Sequence, residues 1–334
     1  MSVTELFGTP DGIDDADLQF TADGRLRHLL TLRGLDRAQI VRLLDRAEAF
    51  LSPPGQPAVR SNALKNVTVG NLFFEPSTRT RASFELAAKR LGAEVVNLDV
   101  NTSSRKKGES ILDTIHTLQA MQVNVFVVRD ASAGVPAYIT RNVNDFVMIL
   151  NAGESTVSHP TQGLLDLMTI RLHKGAFENL TVAIVGDIAH SRVARSASEG
   201  LMTMGVGELR LISPEALAPN ADDFPGAKLM HRLDEGIRGA DVVMALRIQR
   251  ERIGSLDEIP GIDEYFANFG LSQARMKLAA PDAIVMHPGP MNRGIEIDSG
   301  VADGACSVIV EQVTNGVAIR MALLEEVVKN MEQQ

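Results

Sequence analysis

The sequence has a single cysteine, Cys306, and no tryptophan among its 334 residues. One thiol excludes an intramolecular disulfide and a metal site built from several thiolates, and it is typical of a protein in a reducing cytoplasm. Long apolar runs are also missing. The longest are about as long as residues 146–150, which is far shorter than the roughly 18 residues that a membrane span requires. We therefore predict a cytoplasmic chain that does not cross a membrane.

Basic residues are the minority charge: 33 Lys and Arg stand against 42 Asp and Glu, giving a formal net charge of −9. General binders of nucleic acid or of membrane surfaces carry a basic excess or a basic stripe, so we expect neither partner. A hydrophobic content of 45% with 22% charged residues excludes wholesale disorder. The length predicts about two domains of ~150 residues each.

Residues 1–24 hold six acids and no base, the opposite of a secretory or transit segment. We interpret them as an acidic extension that is either mobile or docked. Residues 151–160 combine Gly, Ser, Thr and Pro, which makes them the best candidate linker between two domains. Near the end of the chain, Val317, Met321, Leu324 and Val328 form one apolar face of a helix that must pack against something.

Short continuous apolar runs alternate with amphipathic segments of helical length. Continuous rather than alternating hydrophobicity indicates strands buried on both faces, so the pattern predicts an α/β protein with parallel sheets. The predicted strands are 67–74, 93–99, 123–129, 145–150, 180–186, 208–212, 241–246 and 283–286, and the predicted helices are 80–91, 108–121, 161–173, 191–204 and 271–278.

Cations and hydrogen-bond donors follow six of these strands. In parallel sheets, ligands bind beyond the carboxyl ends of the strands, so we expect these side chains to collect at one edge and to bind an anionic substrate. In strand order they are residues 77–81, Arg129, His159 with Gln162, His190 with Arg192, Arg247 with Gln249, and the segment 287–290.

The most specific stretch is Ser77, Thr78, Arg79 and Thr80, directly after a buried strand and before an amphipathic run. Hydroxyls, a guanidinium and the N–H groups of a helix start together suit a phosphate, whereas a plain helix cap is the alternative. Arg81 faces a different side of the helix from Arg79, so we expect it to be a structural ion-pair partner.

Other features favour less specific interpretations. Residues 101–109 carry Ser103 and Lys107 in a charge run that, on composition alone, is typical of a solvated face. His159 could be a buried core histidine, although its place before Gln162 at a helix start favours a function. The stretch 182–187 resembles the opening of a dinucleotide-binding unit but lacks its glycine spacing, which leaves a nicotinamide enzyme as a weak alternative. The remaining histidines show no metal-ligand spacing, so we predict no metal.

Six motifs in order resemble the transcarbamoylase family, and within it most closely the aspartate enzymes. They are 73–81, 106–109, 159–162, 185–187, 247–249 and 287–290, and the resemblance runs from about residue 25 to the end. It implies two three-layer α/β domains with mainly parallel sheets and the active site in the cleft between them. The implied limits are 1–24 for the extension, 25–158 for a carbamoyl-phosphate domain, 159–312 for an aspartate domain, and 313–334 for a helix returning to the first domain.

The resemblance also implies roles, residue by residue. Ser77, Thr78, Arg79 and Thr80 would hold the phosphate of carbamoyl phosphate. Thr80, Arg129 and His159 would donate to its carbonyl oxygen, and Gln162 with the backbone of Pro288, Gly289 and Pro290 would bind its nitrogen. Arg192, Arg247 and Gln249 would bind the carboxylates of L-aspartate. Ser103 and Lys107 would enter the site of a neighbouring subunit, which implies a homotrimer and contradicts the solvated-face interpretation.

The implied reaction transfers a carbamoyl group to the amine of aspartate, without metal or cofactor. Residues 250–270 are interpreted as an irregular stretch that is long enough to be a closing loop. An ornithine enzyme of the family is the first alternative, and a catalytically silent structural or regulatory homologue is the second. Regulatory or dihydroorotase-type chains are possible further partners.

Overall fold

The computed structural model describes residues 15–53, 55–98, 110–249 and 261–332. The chain divides into two units. Unit 1 combines the residues up to Leu164 with those from Thr314 onward, and unit 2 is Leu165–Val313. Ser103, Lys107 and the first part of the predicted closing loop, 250–260, lie outside the described residues.

Unit 1 contains one four-stranded parallel sheet in the order β2-β1-β3-β4. Its strands are β1 (Thr68–Phe73), β2 (Glu94–Leu98), β3 (Val125–Asp130) and β4 (Met148–Glu154), and its first helices are α1 (Arg37–Glu48), α2 (Thr78–Arg90), α3 (Ile111–Ala120) and α4 (Val135–Thr140). Every residue of β3 and β4 is buried, as the continuous apolar pattern predicts, whereas the edge strand β2 is largely exposed.

The strand order explains why helices cover both faces of this sheet. From β1 the chain moves outward to β2 and then returns across β1 to β3 and β4. Because parallel crossovers are right-handed, a reversal of direction places the helices on opposite faces, which gives three layers. The reversal also creates a switch point at the carboxyl ends of β1 and β3, where open α/β sheets bind ligands.

The helix α5 (Pro160–Lys174) and the last helix, α11 (Ile309–Glu332), each contain a unit boundary, at Leu164 and at Val313. The interpretation of residues 151–160 as a linker is therefore wrong in its first half, because Asn151 lies inside β4 and is fully buried. Its Nδ2 donates to the Leu30 carbonyl at 2.8 Å. Polar residues at this strand end form hydrogen bonds inside the protein, and composition alone does not reveal this.

The structure describes residues 15–24 of the predicted mobile or docking extension, and these are bound to unit 1. Asp17–Gln19 form a short 3₁₀ helix, and the Gln19 side chain is fully buried in unit 1. Its Oε1 accepts the N–H groups of Leu30 and Thr31, at 2.7 and 2.9 Å. A glutamine that satisfies two buried backbone donors fixes this segment to the unit.

Unit 2 contains a five-stranded parallel sheet in the order β7-β6-β5-β8-β9. Its strands are β5 (Thr181–Val185), β6 (Glu208–Ile212), β7 (Lys228–Met230), β8 (Val242–Ala245) and β9 (Ile284–Met286), and its further helices are α6 (Arg192–Thr203), α7 (Leu233–Gly236), α8 (Ile262–Phe269), α9 (Gln273–Met276) and α10 (Ser299–Ala302). The direction of travel reverses between β5 and β8, so the switch point lies at the ends of these two strands.

Two elements of unit 2 differ from the sequence-based expectation. The strand β7 was not predicted, because three half-exposed residues at a sheet edge are too few to show a pattern. The interpretation of 250–270 as irregular is wrong over Ile262–Phe269, which form a helix with Tyr265 and Phe269 buried against the core. Over the described parts of the chain, no helix is long and apolar enough to cross a bilayer.

Candidate functional site

The first turn of α2 is where the sequence predicts a phosphate site. Ser77 occupies the N-cap position with extended backbone angles, φ −159° and ψ 98°, and its side chain makes no capping hydrogen bond. Arg79 is exposed in the first turn, whereas Thr80 is buried. In a plain cap, the serine hydroxyl would accept a first-turn N–H. Ser77 therefore does not act as a plain cap, and the positive end of a helix is a position that favours an anion.

Arg129 lies at the end of β3, on the other side of the unit 1 switch point from α2. It is 8% exposed. Its Nη2 donates to Glu75 Oε1 at 2.9 Å, two residues before Ser77, and its Nη1 donates to the Ala152 carbonyl of β4 at 3.1 Å. The guanidinium is therefore fixed between the loop after β1 and the neighbouring strand β4, with the start of α2 close by.

His159 and Gln162 flank the start of α5, and both are buried. The His159 carbonyl accepts the Gln162 N–H at 2.9 Å, which closes the first turn. Between them, Thr161 Oγ1 accepts from Arg320 Nη2 at 3.3 Å, and the same guanidinium lies 5.0 Å from the ring centroid of Phe84 in α2. Arg320 thus holds the first turn of α5 near α2. We call the residues Ser77, Thr78, Arg79, Thr80, Arg129, His159 and Gln162 the unit 1 site.

A second carboxylate at this edge has a raised pKa. Glu154, at the end of β4, is 5% exposed and accepts the Gly134 N–H at 2.5 Å. Burial, and then the nearby charges of Asp15 and Asp130, raise its pKa from an ordinary 4.5 to about 7, against the lowering effect of the hydrogen bonds from Gly134 and Asn151. Sequence reasoning did not identify this group, because it lies in the stretch interpreted as a linker.

In unit 2, Asp187 connects the two strands of the switch point. It follows β5 and is fully buried. Its Oδ2 accepts the backbone N–H of Gln249, after β8, at 3.0 Å, and its Oδ1 accepts from His190 Nδ1 at 2.8 Å. Gly186 makes this approach possible, because a Cβ there would lie 2.3 Å from the Leu246 carbonyl oxygen. The backbone at Gly186 also has φ +134°, a conformation that favours glycine.

The predicted aspartate-binding residues of unit 2 lie around this switch point. Arg192 is the first residue of α6 and is 5% exposed, and Ser191 caps that helix by accepting the Ala194 N–H at 3.1 Å. Arg247 is partly buried one residue beyond Leu246, and Gln249 is buried. Two guanidinium groups at the ends of neighbouring strands suit a dicarboxylate.

The segment Pro288–Pro290 follows β9, and its geometry is set by His287. Gly289 has φ +65°, which glycine adopts without strain. His287 is 2% exposed; its Nδ1 accepts the Gly289 N–H at 2.8 Å, and its Nε2 faces Glu296 Oε1 at 3.1 Å. We call Arg192, Arg247, Gln249 and the segment 288–290 the unit 2 site.

Reasoning from the sequence did not assign a role to the carboxylates and amides that support these residues. Glu296 and Gln312 each bond to a predicted site segment but stand apart from the motifs, whereas Glu75 lies inside the motif 73–81 and was assigned no role there. Near them, burial raises the pKa of the Tyr265 hydroxyl, and the charges of Glu296 and Asp187 raise it further. Over the described residues there is also no group of three or more His, Cys, Asp or Glu side chains that could hold a metal ion.

Comparison with known proteins covers both units. Residues 27–172 match the carbamoyl-phosphate-binding domain of the aspartate/ornithine carbamoyltransferases, and residues 178–327 match their Asp/Orn-binding domain. Aspartate transcarbamoylase of Trypanosoma cruzi in complex with carbamoyl phosphate and aspartate is 31% identical, with a TM-score of 0.81, covering 93% of this chain and 99% of that one.

The same Trypanosoma cruzi enzyme in complex with N-(phosphonacetyl)-L-aspartic acid is 30% identical, with a TM-score of 0.79 and coverages of 93% and 98%. Ornithine carbamoyltransferase of Thermus thermophilus is 25% identical, with a TM-score of 0.79 and coverages of 90% and 99%. The two family matches and the parallel α/β fold lead to one conclusion: the chain is a carbamoyltransferase and belongs to the aspartate/ornithine carbamoyltransferase family.

Proposed function

We propose that the enzyme transfers the carbamoyl group of carbamoyl phosphate to the α-amine of L-aspartate, giving N-carbamoyl-L-aspartate and phosphate. This reaction is an early step of pyrimidine biosynthesis. The observation that carries the choice of aspartate is the pair Arg247 and Gln249 next to the buried Asp187. A guanidinium binds a side-chain carboxylate through two parallel hydrogen bonds. The ammonium of ornithine would instead need an acidic side chain at the position of Arg247.

The unit 1 site supplies the groups for carbamoyl phosphate in this proposal. Ser77, Thr78, Arg79 and Thr80 bind the phosphate at the start of α2, where the helix N–H groups favour negative charge. Thr80, Arg129 and His159 donate to the carbonyl oxygen and stabilise the oxyanion that forms when the amine attacks. The Glu75 and Ala152 contacts hold Arg129 in one orientation for that purpose, so little reorganisation accompanies the reaction.

The reaction needs no protein nucleophile in this mechanism. The neutral amine of aspartate attacks the carbamoyl carbon, a tetrahedral intermediate forms, and phosphate leaves with the electrons of the broken C–O bond. The amine loses one proton, for which the departing phosphate is the nearest basic group. Catalysis then depends on positioning and on charge stabilisation by the named donors.

Steady-state assays with each amine test the substrate. We expect turnover of carbamoyl phosphate with L-aspartate and none with L-ornithine. Arg247→Ala should raise KM for aspartate strongly and change kcat less, because it removes binding of a carboxylate that does not react. Arg232→Ala, an exposed arginine of the same unit, is the matched control. Turnover with ornithine alone, or unchanged aspartate kinetics in Arg247→Ala, would reverse the assignment.

We further propose a cytoplasmic homotrimer in which Ser103 and Lys107 complete the site of a neighbouring subunit, with a regulatory or dihydroorotase-type chain as a possible additional partner. Mixing Arg79→Ala chains with Lys107→Ala chains tests the shared site. Each variant alone should be inactive, and hybrids should recover activity in the sites that carry neither change. Hybrids as inactive as the parents would contradict it.

A further inference from the structure

A buried hydrogen-bond network lies behind the segment Pro288–Pro290. Because His287 Nδ1 accepts the Gly289 N–H at 2.8 Å, the imidazole proton is on Nε2, which donates to Glu296 Oε1 at 3.1 Å. The same carboxylate oxygen accepts the Asn292 N–H at 2.5 Å. One oxygen of Glu296 thus holds the segment at both ends: directly at Asn292, and through the imidazole at Gly289.

The other side of His287 is held as well. Its backbone N–H donates to Gln312 Oε1 at 2.9 Å, and Gln312 Nε2 donates to Asp166 Oδ1 at 2.8 Å. Asp166, His287, Glu296 and Gln312 are each 1–2% exposed. Hydrogen bonds in so dry a place are strong and leave little freedom of orientation. The network therefore fixes the backbone of residues 287–292 more firmly than the loop's own contacts could.

Stability alone does not explain this arrangement. An apolar group of the same shape would fill the position of a buried carboxylate at no greater cost, and often at a lower one. Glu296 Oε2 moreover has no hydrogen-bond partner within the described residues, so this carboxylate is not fully compensated. The feature that Glu296 does provide is orientation: its Oε1 accepts the backbone N–H of Asn292 and the Nε2–H of His287, whose Nδ1 in turn accepts the Gly289 N–H.

We infer that Glu296 is a positioning residue that acts through His287 to aim the backbone of Pro288, Gly289 and Pro290 at the carbamoyl nitrogen. The inference deepens the proposed function and rests on it. Glu296 touches no substrate. It selects the Nε2–H tautomer of His287, and that tautomer leaves Nδ1 able to accept the Gly289 N–H, as histidine tautomers are generally set by the partner of the second nitrogen.

Kinetics of Glu296→Leu and Glu296→Gln give the first test. Glu296→Leu should lower kcat about 10²-fold, as small misplacements at a reacting group do. It should also raise KM for carbamoyl phosphate while leaving KM for aspartate unchanged. Glu296→Gln keeps an oxygen acceptor and should retain most of the activity. A merely structural role would reduce the active fraction, which lowers the apparent kcat but alters neither KM. An unchanged KM for carbamoyl phosphate in Glu296→Leu would overturn the inference.

Hydrogen exchange gives a second test that does not depend on activity and works for a destabilised variant. Segment 287–292 has few amides, since residues 288 and 290 are prolines. In Glu296→Leu, the amide of Asn292 loses its direct partner and should exchange faster. The informative amide is that of Gly289, whose N–H donates to the imidazole of His287. Faster exchange at Gly289 is expected; protection at Gly289 equal to wild type would show that Glu296 does not act through His287.

A matched control is another carboxylate paired with histidine in the same unit. Glu311 Oε2 lies 2.7 Å from His173 Nε2 at an exposed position. Glu311→Leu should leave both KM values and the exchange of Gly289 unchanged. The wild-type assay separates the two proposals: without turnover of carbamoyl phosphate and aspartate the proposed function fails, whereas an active wild type with normal Glu296→Leu kinetics defeats the positioning role alone.

Discussion

The two units hold their polar groups in different ways. In unit 1, the predicted phosphate-binding residues lie at the open start of α2, and Arg129 pairs with an acid only two residues before that helix cap. In unit 2, two buried carboxylates, Asp187 and Glu296, bind the backbone N–H groups of the segments that carry the predicted residues. The predicted residues of unit 1 thus lie at an open helix start, whereas the predicted segments of unit 2 are held by buried carboxylates.

This difference teaches where motif-based reasoning works. When a helix begins directly after a buried strand, the hydrogen-bond donors of the site come from neighbouring residues. The interpretation of Ser77–Thr80 therefore needed only a few adjacent residues. Segment 288–290 could be recognised by its resemblance, but its support comes from Gln312 and Asp166, which lie 146 residues apart. We expect substitutions in unit 1 to act on chemistry, and those in unit 2 to act first on loop geometry. Four predictions sharpen that contrast.

The largest effect is expected for Arg79→Ala in the unit 1 site. Loss of a donor aimed at developing charge should lower kcat about 10²–10³-fold without unfolding the chain. Arg81→Ala is the matched control, since Arg81 is equally exposed in the same helix but faces a different side. Initial rates and circular dichroism check both variants. Comparable losses of kcat in the two would contradict the assignment of Arg79.

In unit 2, Gly186→Ala tests the geometry of the switch point. The new Cβ would lie 2.3 Å from the Leu246 carbonyl oxygen, at φ +134°. We expect the free energy of unfolding to fall by about 4 kcal/mol, because the clash is with backbone and cannot be relieved by a side chain. KM for aspartate should also rise, because the displaced Leu246 is directly followed by Arg247.

The control for Gly186→Ala is Gly175→Ala. Gly175 also has positive φ, +75°, but nothing lies within 4 Å of its Cβ position. The left-handed backbone alone should cost about 1 kcal/mol. Urea unfolding measures both variants, and equal losses of stability would show that close approach to Leu246 is unimportant.

Glu154→Gln tests the buried carboxyl of unit 1. A carboxyl with a raised pKa in the folded state costs nothing while it is protonated, and the cost grows as pH rises from 4.5 to about 7. Wild-type unfolding free energy should therefore fall by about 3 kcal/mol over that range relative to Glu154→Gln. Urea titrations at several pH values measure it, with the exposed Glu48→Gln as control. Parallel pH profiles of wild type and Glu154→Gln would contradict the raised pKa.

Tyr265→Phe should have the smallest effect. The Tyr265 hydroxyl is buried and has no hydrogen-bond partner in the part of the chain that the structure describes. Removing a hydroxyl that makes no bond should change the free energy of unfolding by less than about 1 kcal/mol, in the stabilising direction. Thermal melts check this. A loss well above that value would reveal a partner for the hydroxyl.

Much of the fold was predictable because strands buried on both faces leave continuous apolar runs. Of the nine strands in the described residues, eight overlap predicted runs, and β7 is too short to leave one. The helix α1 was overlooked despite a visible signal: Asp36 and Gln39 form a capping box, followed by the apolar spacing of Ile40, Leu43, Leu44 and Ala47. Gln19, Glu154 and Glu296 could not be predicted, because their roles depend on long-range contacts.

The division of the chain also bears on how the protein is made. Unit 1 starts at the first described residues but includes the buried residues of α11 beyond Thr314. During translation, all of unit 2 leaves the ribosome before that helix does. Domains generally fold as they emerge. Unit 2 can therefore fold first, while unit 1 exposes apolar surface until the residues after Thr314 have emerged. Nascent chains stalled before residue 314 should therefore be the form that needs chaperones most.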